Sequence, residues 1–210
     1  SSESVSLQAS GLYLISRDNA QQLVIDAGPQ GAVTAGHGHA DALGICLNSG
    51  GQPLLVDSGT FEYVGDGRER DLFRGTSAHN TLSVDGASQS DPRGPFGWTR
   101  LPKVTAEGWI CGENFDLFVG SHDGYTRLAN PVIHRRWVFS LKSGFWLVRD
   151  VADGAGKHQL DLNWHVSHEL SARGRRSDTF LDRAGRAGLA IITPKNHGWS
   201  HDIHKDWRSP

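Results

Sequence analysis

The chain has 210 residues, of which 37% are hydrophobic and 21% are charged, and its formal net charge is −2. This composition excludes a disordered chain, and the longest apolar runs, such as residues 189–192, are too short to span a membrane. We therefore expect no transmembrane segment, and the near-neutral charge excludes a basic field over the whole domain, so we expect no nucleic-acid partner. The 26 glycines exceed the usual share of about 7% and favour a turn-rich β architecture.

The predicted elements are short strands separated by turn signals. In chain order they are Gly11–Ser16, Leu23–Asp26, Ala42–Asn48, Pro53–Asp57, Asn80–Val84, Lys103–Ile110, Phe115–His122, Val132–Leu141, Phe145–Val151, Lys157–His168, Thr179–Asp182 and Gly188–Thr193. Residues 67–75 predict one short turn of helix, and residues 88–100 predict a long loop. A dozen strands without a long helix predict an all-β sandwich or barrel, with one domain over residues 1–210.

Alternation along Val132–Leu141 predicts which side chains face the core. Trp137 and Phe139 share one face of this strand, and we expect that face to point inward.

The two cysteines, Cys46 and Cys111, are too few for a disulfide scaffold, although they could form one bridge. Both lie in apolar segments, which favours buried free thiols. The chain contains no Met and no signal-peptide pattern, so we expect it to be part of a longer protein.

The segment Gly36–Asp41 contains two histidines, His37 and His39, which would face the same side of an extended strand. Asp57 ends an apolar strand further along, and His79 follows it. Two histidines and one aspartate are a usual zinc ligand set that leaves a fourth position open. Ordinary surface histidines and an ordinary strand exit remain the alternative.

The predicted hairpin makes a joint site difficult to build. A regular hairpin through Ser49–Gln52 would place Asp57 opposite Gly44 and away from His39. A site that uses both side chains therefore needs a bulge or bend, and Gly44 is a suitable place for one.

Several other catalytic motifs are excluded. The chain contains no G-x-S-x-G, G-x-x-x-x-G-K-[ST], H-E-x-x-H or C-x-x-C motif. A cupin-like metal barrel also uses His-x-His on a strand, but a Glu is expected a few residues later, where residues 40–44 read Ala-Asp-Ala-Leu-Gly. The cupin-like metalloenzyme remains an alternative.

Three longer stretches together resemble the heparinase II/III-like polysaccharide lyases. They are Gly36–Leu43, Gln52–Tyr63 and Phe73–Gly86, and the segments 145–150 and 158–165 also resemble this family. The motifs occur in the family's order and cover most of the chain. The resemblance implies an antiparallel β-sandwich, truncated at both ends relative to a full-length protein that is periplasmic or secreted. It also implies an N-terminal α/α-toroid domain in that protein as the partner that completes the cleft.

The resemblance also implies roles for individual residues. It assigns zinc ligands to His39, Asp57 and His79, a catalytic role to His37, and a position near the cleft to Tyr63. The implied reaction is β-elimination on an acidic, uronic-acid-containing polysaccharide, which needs a base for the C5 proton, an acid for the departing O4 and a group that neutralises the carboxylate. A histidine or a tyrosine can move such protons, and we expect the isolated domain to be inactive.

Candidate substrate-binding residues follow from this chemistry. Arg68, Arg70 and Arg74 could bind carboxylates and sulfates bidentately, or they could simply lie on a solvated loop. Asn80 is a further candidate, because an amide can help to neutralise the developing charge. Trp98 and Trp109 could stack on sugars, although most tryptophans are expected in the core. A non-catalytic carbohydrate-binding module remains the second alternative.

Overall fold

The computed structural model describes residues 3–17, 20–63, 67–175, 178–183, 186–194 and 198–204. They form two compact units, Ser1–His165 and Val166–Pro210. Within the described residues, strands predominate and no helix is long and apolar enough to cross a membrane.

The first unit begins with a five-stranded antiparallel sheet whose strands are neighbours in chain order. Its described strands are β1 (Val5–Leu7), β2 (Leu12–Arg17), β3 (Gln21–Asp26), β4 (Ile45–Ser49) and β5 (Gln52–Leu55). The long connection between β3 and β4 contains both histidines of the His-x-His pair.

A helix and a small sheet follow. They comprise α1 (Arg68–Phe73), a 3₁₀ turn at Thr76–Ala78 and β6 (Leu82–Val84), which pairs with the later strand Leu160–Leu162. Together these elements bring the segment that carries His79 against the first sheet.

A four-stranded antiparallel sheet completes the first unit. Its described strands are β7 (Val104–Cys111), β8 (Phe115–His122), β9 (Val132–Leu141) and β10 (Phe145–Gly154), with a 3₁₀ turn at Gly124–Arg127 before β9. The strand Leu160–Leu162 is β11.

The two larger sheets pack face to face. Tyr13 of β2 lies 4.8 Å from Phe118 of β8 and 5.2 Å from Trp109 of β7, measured between ring centroids. Arg17 of β2 donates a hydrogen bond of 2.8 Å to the Ser140 hydroxyl of β9. These contacts across the interface confirm the predicted antiparallel β-sandwich.

The second unit is a smaller antiparallel sheet. Its described strands are β12 (Ser171–Arg175), β13 (Asp178–Arg183) and β14 (Arg186–Ile192). Leu181 is buried, and Arg173 forms an ion pair with Asp182 across β12 and β13. One domain over residues 1–210 stays a prediction.

Four predicted strands are shorter than expected, and two of them, Pro53–Asp57 and Asn80–Val84, are reduced to β5 and β6. The strand predicted at Ala42–Asn48 begins only at Ile45, because the Gly44 amide donates to the Asp41 carbonyl (2.7 Å) and closes a turn. Of the strand predicted at Lys157–His168, only the residues of β11 (Leu160–Leu162) form a strand. Sequence reasoning also missed β1 and β12.

The predicted facing of β9 is wrong. His134, Arg136 and Val138 are fully buried, while Trp137 and Phe139 are only partly buried. The inward face therefore carries ionisable side chains. Their burial is tolerated because each has a hydrogen-bonding partner inside the sandwich.

Candidate metal centre and adjoining site

The His-x-His pair lies in a turn of the β3–β4 connection, which corrects the expected strand. Gly38, between the two histidines, is forced by close packing: a Cβ there would lie 1.7 Å from the Gln30 carbonyl oxygen. Its amide donates to Ala35 (2.9 Å). Since His37 and His39 are not on a barrel strand, the cupin-like alternative loses its support.

Asp57 reaches the site because β5 leaves the hairpin early. The expected bend lies at Gly44, whose amide closes the turn with Asp41, and a register irregularity also lies between Leu47 and Asn48. After β5 ends at Leu55, the Val56 amide donates to the His165 carbonyl (2.9 Å). This bond directs the next residue, Asp57, away from β4.

The three expected ligands meet in one cluster. One ligand atom each from His39, Asp57 and His79 lies within 4.8 Å of the other two. His79 Nδ1 is 2.6 Å from Asp57 Oδ2, and the rings of His39 and His79 are 5.1 Å apart. His39 Nε2 also lies 3.1 Å from the Thr60 hydroxyl.

The donor set suits a metal ion. His79 is fully buried, and its Nε2 has no hydrogen-bond partner among the described residues. Asp57 is 41% exposed, so the cluster is open to solvent on one side. Two imidazoles and one carboxylate that converge with an open side form a possible metal site.

The pKa values of the two histidines in the cluster shift in opposite directions. Burial and then the neighbouring His79 lower the pKa of His39 to about 4. Burial also opposes the charged form of His79, but its hydrogen bond to Asp57 and the charges of Asp41, Asp57 and Asp26 outweigh burial and raise its pKa. Burial opposes the charge of Asp57 too, yet the bond to His79 holds its pKa below the ordinary value.

A cavity of about 230 Å³ adjoins the cluster. His37 and His39 line it together with two carboxylates, Asp26 and Asp41. Burial raises the pKa of Asp26, and it raises the pKa of Asp41 to about 7. Burial therefore disfavours the charged forms of both carboxyl groups, and a cation beside them would stabilise those charged forms.

Asn80 is a buried connector next to His79. It is 1% exposed, and its amide nitrogen donates to the carbonyls of Ile45 and Val56, both at 2.8 Å. Its amide oxygen accepts from the backbone N–H of His165. All of these partners are backbone groups, so its placement does not support the expected substrate contact.

Two of the three candidate arginines are also buried. Arg70 and Arg74 are 2% and 0% exposed, and the guanidinium of Arg70 donates hydrogen bonds to backbone carbonyls. Arg74 pairs with Asp71 (2.6 Å) and lies over the ring of Trp98. Their placement supports a role inside the domain, whereas Arg68 is exposed at the start of α1.

A buried network under the site was missed by sequence reasoning. The Gly124 amide donates to His122 Nδ1, His122 Nε2 lies 3.0 Å from His134 Nδ1, and His134 Nε2 lies 2.7 Å from Asp150. Arg136 also pairs with Asp150 (2.7 Å). The available signal was the placement of His134 and Arg136 on the same face of one strand.

The remaining expected residues differ in how far they are exposed to solvent. Tyr63 is 54% exposed, and its ring lies 5.7 Å from that of His37. Trp98 is buried and donates to the Ala35 carbonyl, which fits a core residue. Both cysteines are free as expected, but neither is fully buried, because Cys46 is half-buried and Cys111 is exposed.

The whole chain, residues 1–210, matches the family model described as heparinase II/III-like, C-terminal. It is 26% identical over 166 residues to a heparin-sulfate lyase of Bacteroides stercoris, a match that covers 78% of this chain and 22% of the relative.

Solved structures show the same fold. A mutant heparan sulfate lyase of Pedobacter heparinus matches with a TM-score of 0.72 and 23% identity, over 87% of this chain and 27% of that one. A structure of heparinase III matches with a TM-score of 0.68 and 20% identity, over 83% and 27%. The chain thus spans about a quarter of the length of these relatives. It belongs to the heparinase II/III-like, C-terminal family.

Proposed function

We propose that this chain is the β-sandwich domain of a polysaccharide lyase that cleaves a uronic-acid-containing polysaccharide by β-elimination. The observation that carries the proposal is the convergence of His39, Asp57 and His79 beside the exposed His37. The family membership and the lyase activity named for the relatives support the same reaction class.

We propose that zinc occupies the cluster. The unpartnered Nε2 of the buried His79 and the nitrogen, oxygen and nitrogen donor set fit this ion. Bound zinc would supply a fixed positive charge that joins three separate segments. In this structural role, zinc would cross-link the β3–β4 connection, the segment that follows β5 and the 3₁₀ turn after α1, each of which supplies one ligand.

His37 is the proposed catalytic residue. Its side chain is exposed beside the cluster and is not part of it. In β-elimination the C5 proton passes to a base, the C4–O4 bond breaks, a C4=C5 double bond forms, and the departing O4 receives a proton. His37 would accept the C5 proton or neutralise the adjacent carboxylate. The neighbouring Tyr63 would assist this proton transfer from the edge of the cleft.

The remainder of the cleft belongs to the partner domain in this proposal. The N-terminal α/α-toroid of the same full-length protein would supply the other catalytic groups, and the protein would be periplasmic or secreted. The great length of the relatives supports a further domain.

The test is a lyase assay of the full-length protein on heparan-like and alginate-like polymers. The expected signal is the ultraviolet absorbance of unsaturated uronides. His37→Ala should abolish turnover and retain zinc, whereas the exposed His204→Ala should change neither.

Two results would overturn the proposal. Loss of zinc in His37→Ala would make His37 a ligand. Retention of polysaccharide without any turnover by the wild-type protein would instead favour the non-catalytic carbohydrate-binding module.

A further inference from the structure

One buried guanidinium donates hydrogen bonds to the backbone next to three exposed aromatic side chains. Arg70 donates to the carbonyl oxygens of Pro95 (2.7 Å), Gly36 (3.0 Å) and Glu62 (3.4 Å). Each of these carbonyls belongs to the residue immediately before an exposed ring: Phe96, His37 and Tyr63 respectively.

The three rings surround this guanidinium. The Arg70 Cζ lies 4.7 Å from the ring centroid of Tyr63 and 4.8 Å from that of Phe96. The ring of His37 is 5.7 Å from Tyr63 and 5.9 Å from Phe96. Tyr63 and Phe96 nevertheless remain 54% and 46% exposed.

The loop that carries Phe96 is tightly anchored. Arg74 donates to the Gly94 carbonyl (2.6 Å), and the Arg93 amide donates to Gly97 (2.9 Å). A Cβ at Gly36 would lie 3.0 Å from the Phe96 carbonyl oxygen, so the loop touches the turn that carries His37. An apolar ring that remains 46% exposed is therefore held at a fixed position.

Positive charge lies beside the same ring. A groove of about 600 Å³ runs past Phe96 and includes Arg93 and Arg100. Arg100 pairs with Asp123 (3.2 Å), whereas the exposed guanidinium of Arg93 has no partner among the described residues. A flat ring beside a free guanidinium matches a sugar that has an apolar face and an anionic substituent.

From these contacts we propose that Phe96 and Tyr63 form an aromatic subsite, with Arg93 at its edge. The subsite binds the apolar face of an acidic or sulfated sugar adjacent to the one on which His37 acts. Arg70 is its positioning residue. This inference rests on the proposed lyase function and adds Phe96 and Arg93 as substrate-binding residues.

The test uses Phe96→Ala and Phe96→Trp in the full-length protein, with kcat and KM measured on the polymer that the wild type cleaves. Loss of a stacking surface should lower kcat/KM about tenfold, mainly through KM, and the tryptophan should restore most of it. The matched control is Phe145→Ala, because Phe145 is an equally exposed phenylalanine on β10 (52%). It should stay within about twofold of wild type, since it lies outside the subsite.

Arg93→Gln provides a second readout. It should raise KM at low salt, and the difference from wild type should shrink as salt is added, because salt screens exposed charges. Melting temperature and zinc content are measured for each variant, and both should remain near the wild-type values.

The outcomes separate the two proposals. A wild-type protein without lyase activity would overturn the proposed function. An active wild type whose Phe96→Ala variant keeps its kcat/KM would overturn the subsite and leave the lyase intact. Loss of activity in Phe96→Ala only together with loss of its zinc would also overturn the subsite.

Discussion

Arg136 Nη1 donates a hydrogen bond of 2.7 Å to the carbonyl oxygen of Asn80, the residue next to His79. The same nitrogen donates to the Leu43 carbonyl (2.8 Å), at the end of the connection that carries His39. One buried guanidinium in β9 thus joins two segments that supply the metal cluster. Asp150 balances its charge.

Arg136→Met should destabilise the domain by about 3–5 kcal/mol, because it leaves the buried carboxylate of Asp150 without its main cationic partner. Chemical denaturation gives this free energy of unfolding. Arg149→Met is the matched control, since Arg149 is exposed on the neighbouring strand β10, and it should cost under about 1 kcal/mol. Equal losses for the two variants would contradict the buried role of Arg136.

The buried histidines predict a dependence of stability on pH. Burial lowers the pKa of His134, and burial together with His134 lowers the pKa of His122. Both are neutral in the folded domain, whereas the unfolded chain binds protons below its pKa of about 6.5. The contribution of these two histidines to the free energy of unfolding should therefore fall as pH drops below about 6.5, by up to about 1.4 kcal/mol per pH unit for each histidine, until the folded pKa is reached.

His122→Gln should make this decline shallower than in the wild type, because it removes one of the two groups that bind protons on unfolding. Denaturation midpoints measured from about pH 7.5 down to about pH 5 give the difference. An unchanged slope would show that His122 does not contribute.

Asn80→Ala should lower the free energy of unfolding by about 2–4 kcal/mol, since it leaves the backbone groups of Ile45, Val56 and His165 without a partner. Asn114→Ala removes an exposed amide and is the control. If Asn80 instead contacted substrate, its variant would keep full stability and show only a raised KM.

Gly38→Ala should disrupt the turn between the two histidines, because its Cβ would overlap the Gln30 carbonyl oxygen. The expected loss of stability is about 1–3 kcal/mol, together with weaker metal binding. At Gly108 a Cβ would meet only Val119 at 3.7 Å, so Gly108→Ala is the tolerated counterpart. Thermal melts and metal titrations of both variants compare them, and equal behaviour would exclude strain at Gly38.

The sequence predicted the architecture well because turn signals and strand patterns are local. The bounds of β8 and β9 were predicted from their apolar alternation and the turns that flank them. Which side chains of β9 point into the core was not predicted correctly, because a prediction from alternation assumes that the apolar residues point inward. Here paired His134 and Arg136 occupy the inner face, and their partners lie on the neighbouring strands: His122 on β8 and Asp150 on β10.

For the candidate site, too, the identity of the residues could be predicted, whereas the geometry that joins them could not. Resemblance brought His39, Asp57 and His79 together as ligands, and the structure places these side chains in one cluster. The geometry that joins them depends on the bulge at Leu47 and on the backbone bond of Val56, which no local pattern encodes. The burial of Arg70 likewise depends on three distant carbonyls.

The most direct test of the metal centre is the zinc content of the purified chain, measured by elemental analysis. Wild-type protein should contain about one zinc ion per chain, and both His39→Ala and His79→Ala should lose it. His158→Ala is the matched control, because His158 pairs with Asp85 outside the cluster, and it should keep its zinc. Wild-type protein without zinc, prepared with no exposure to chelator, would contradict the proposed centre.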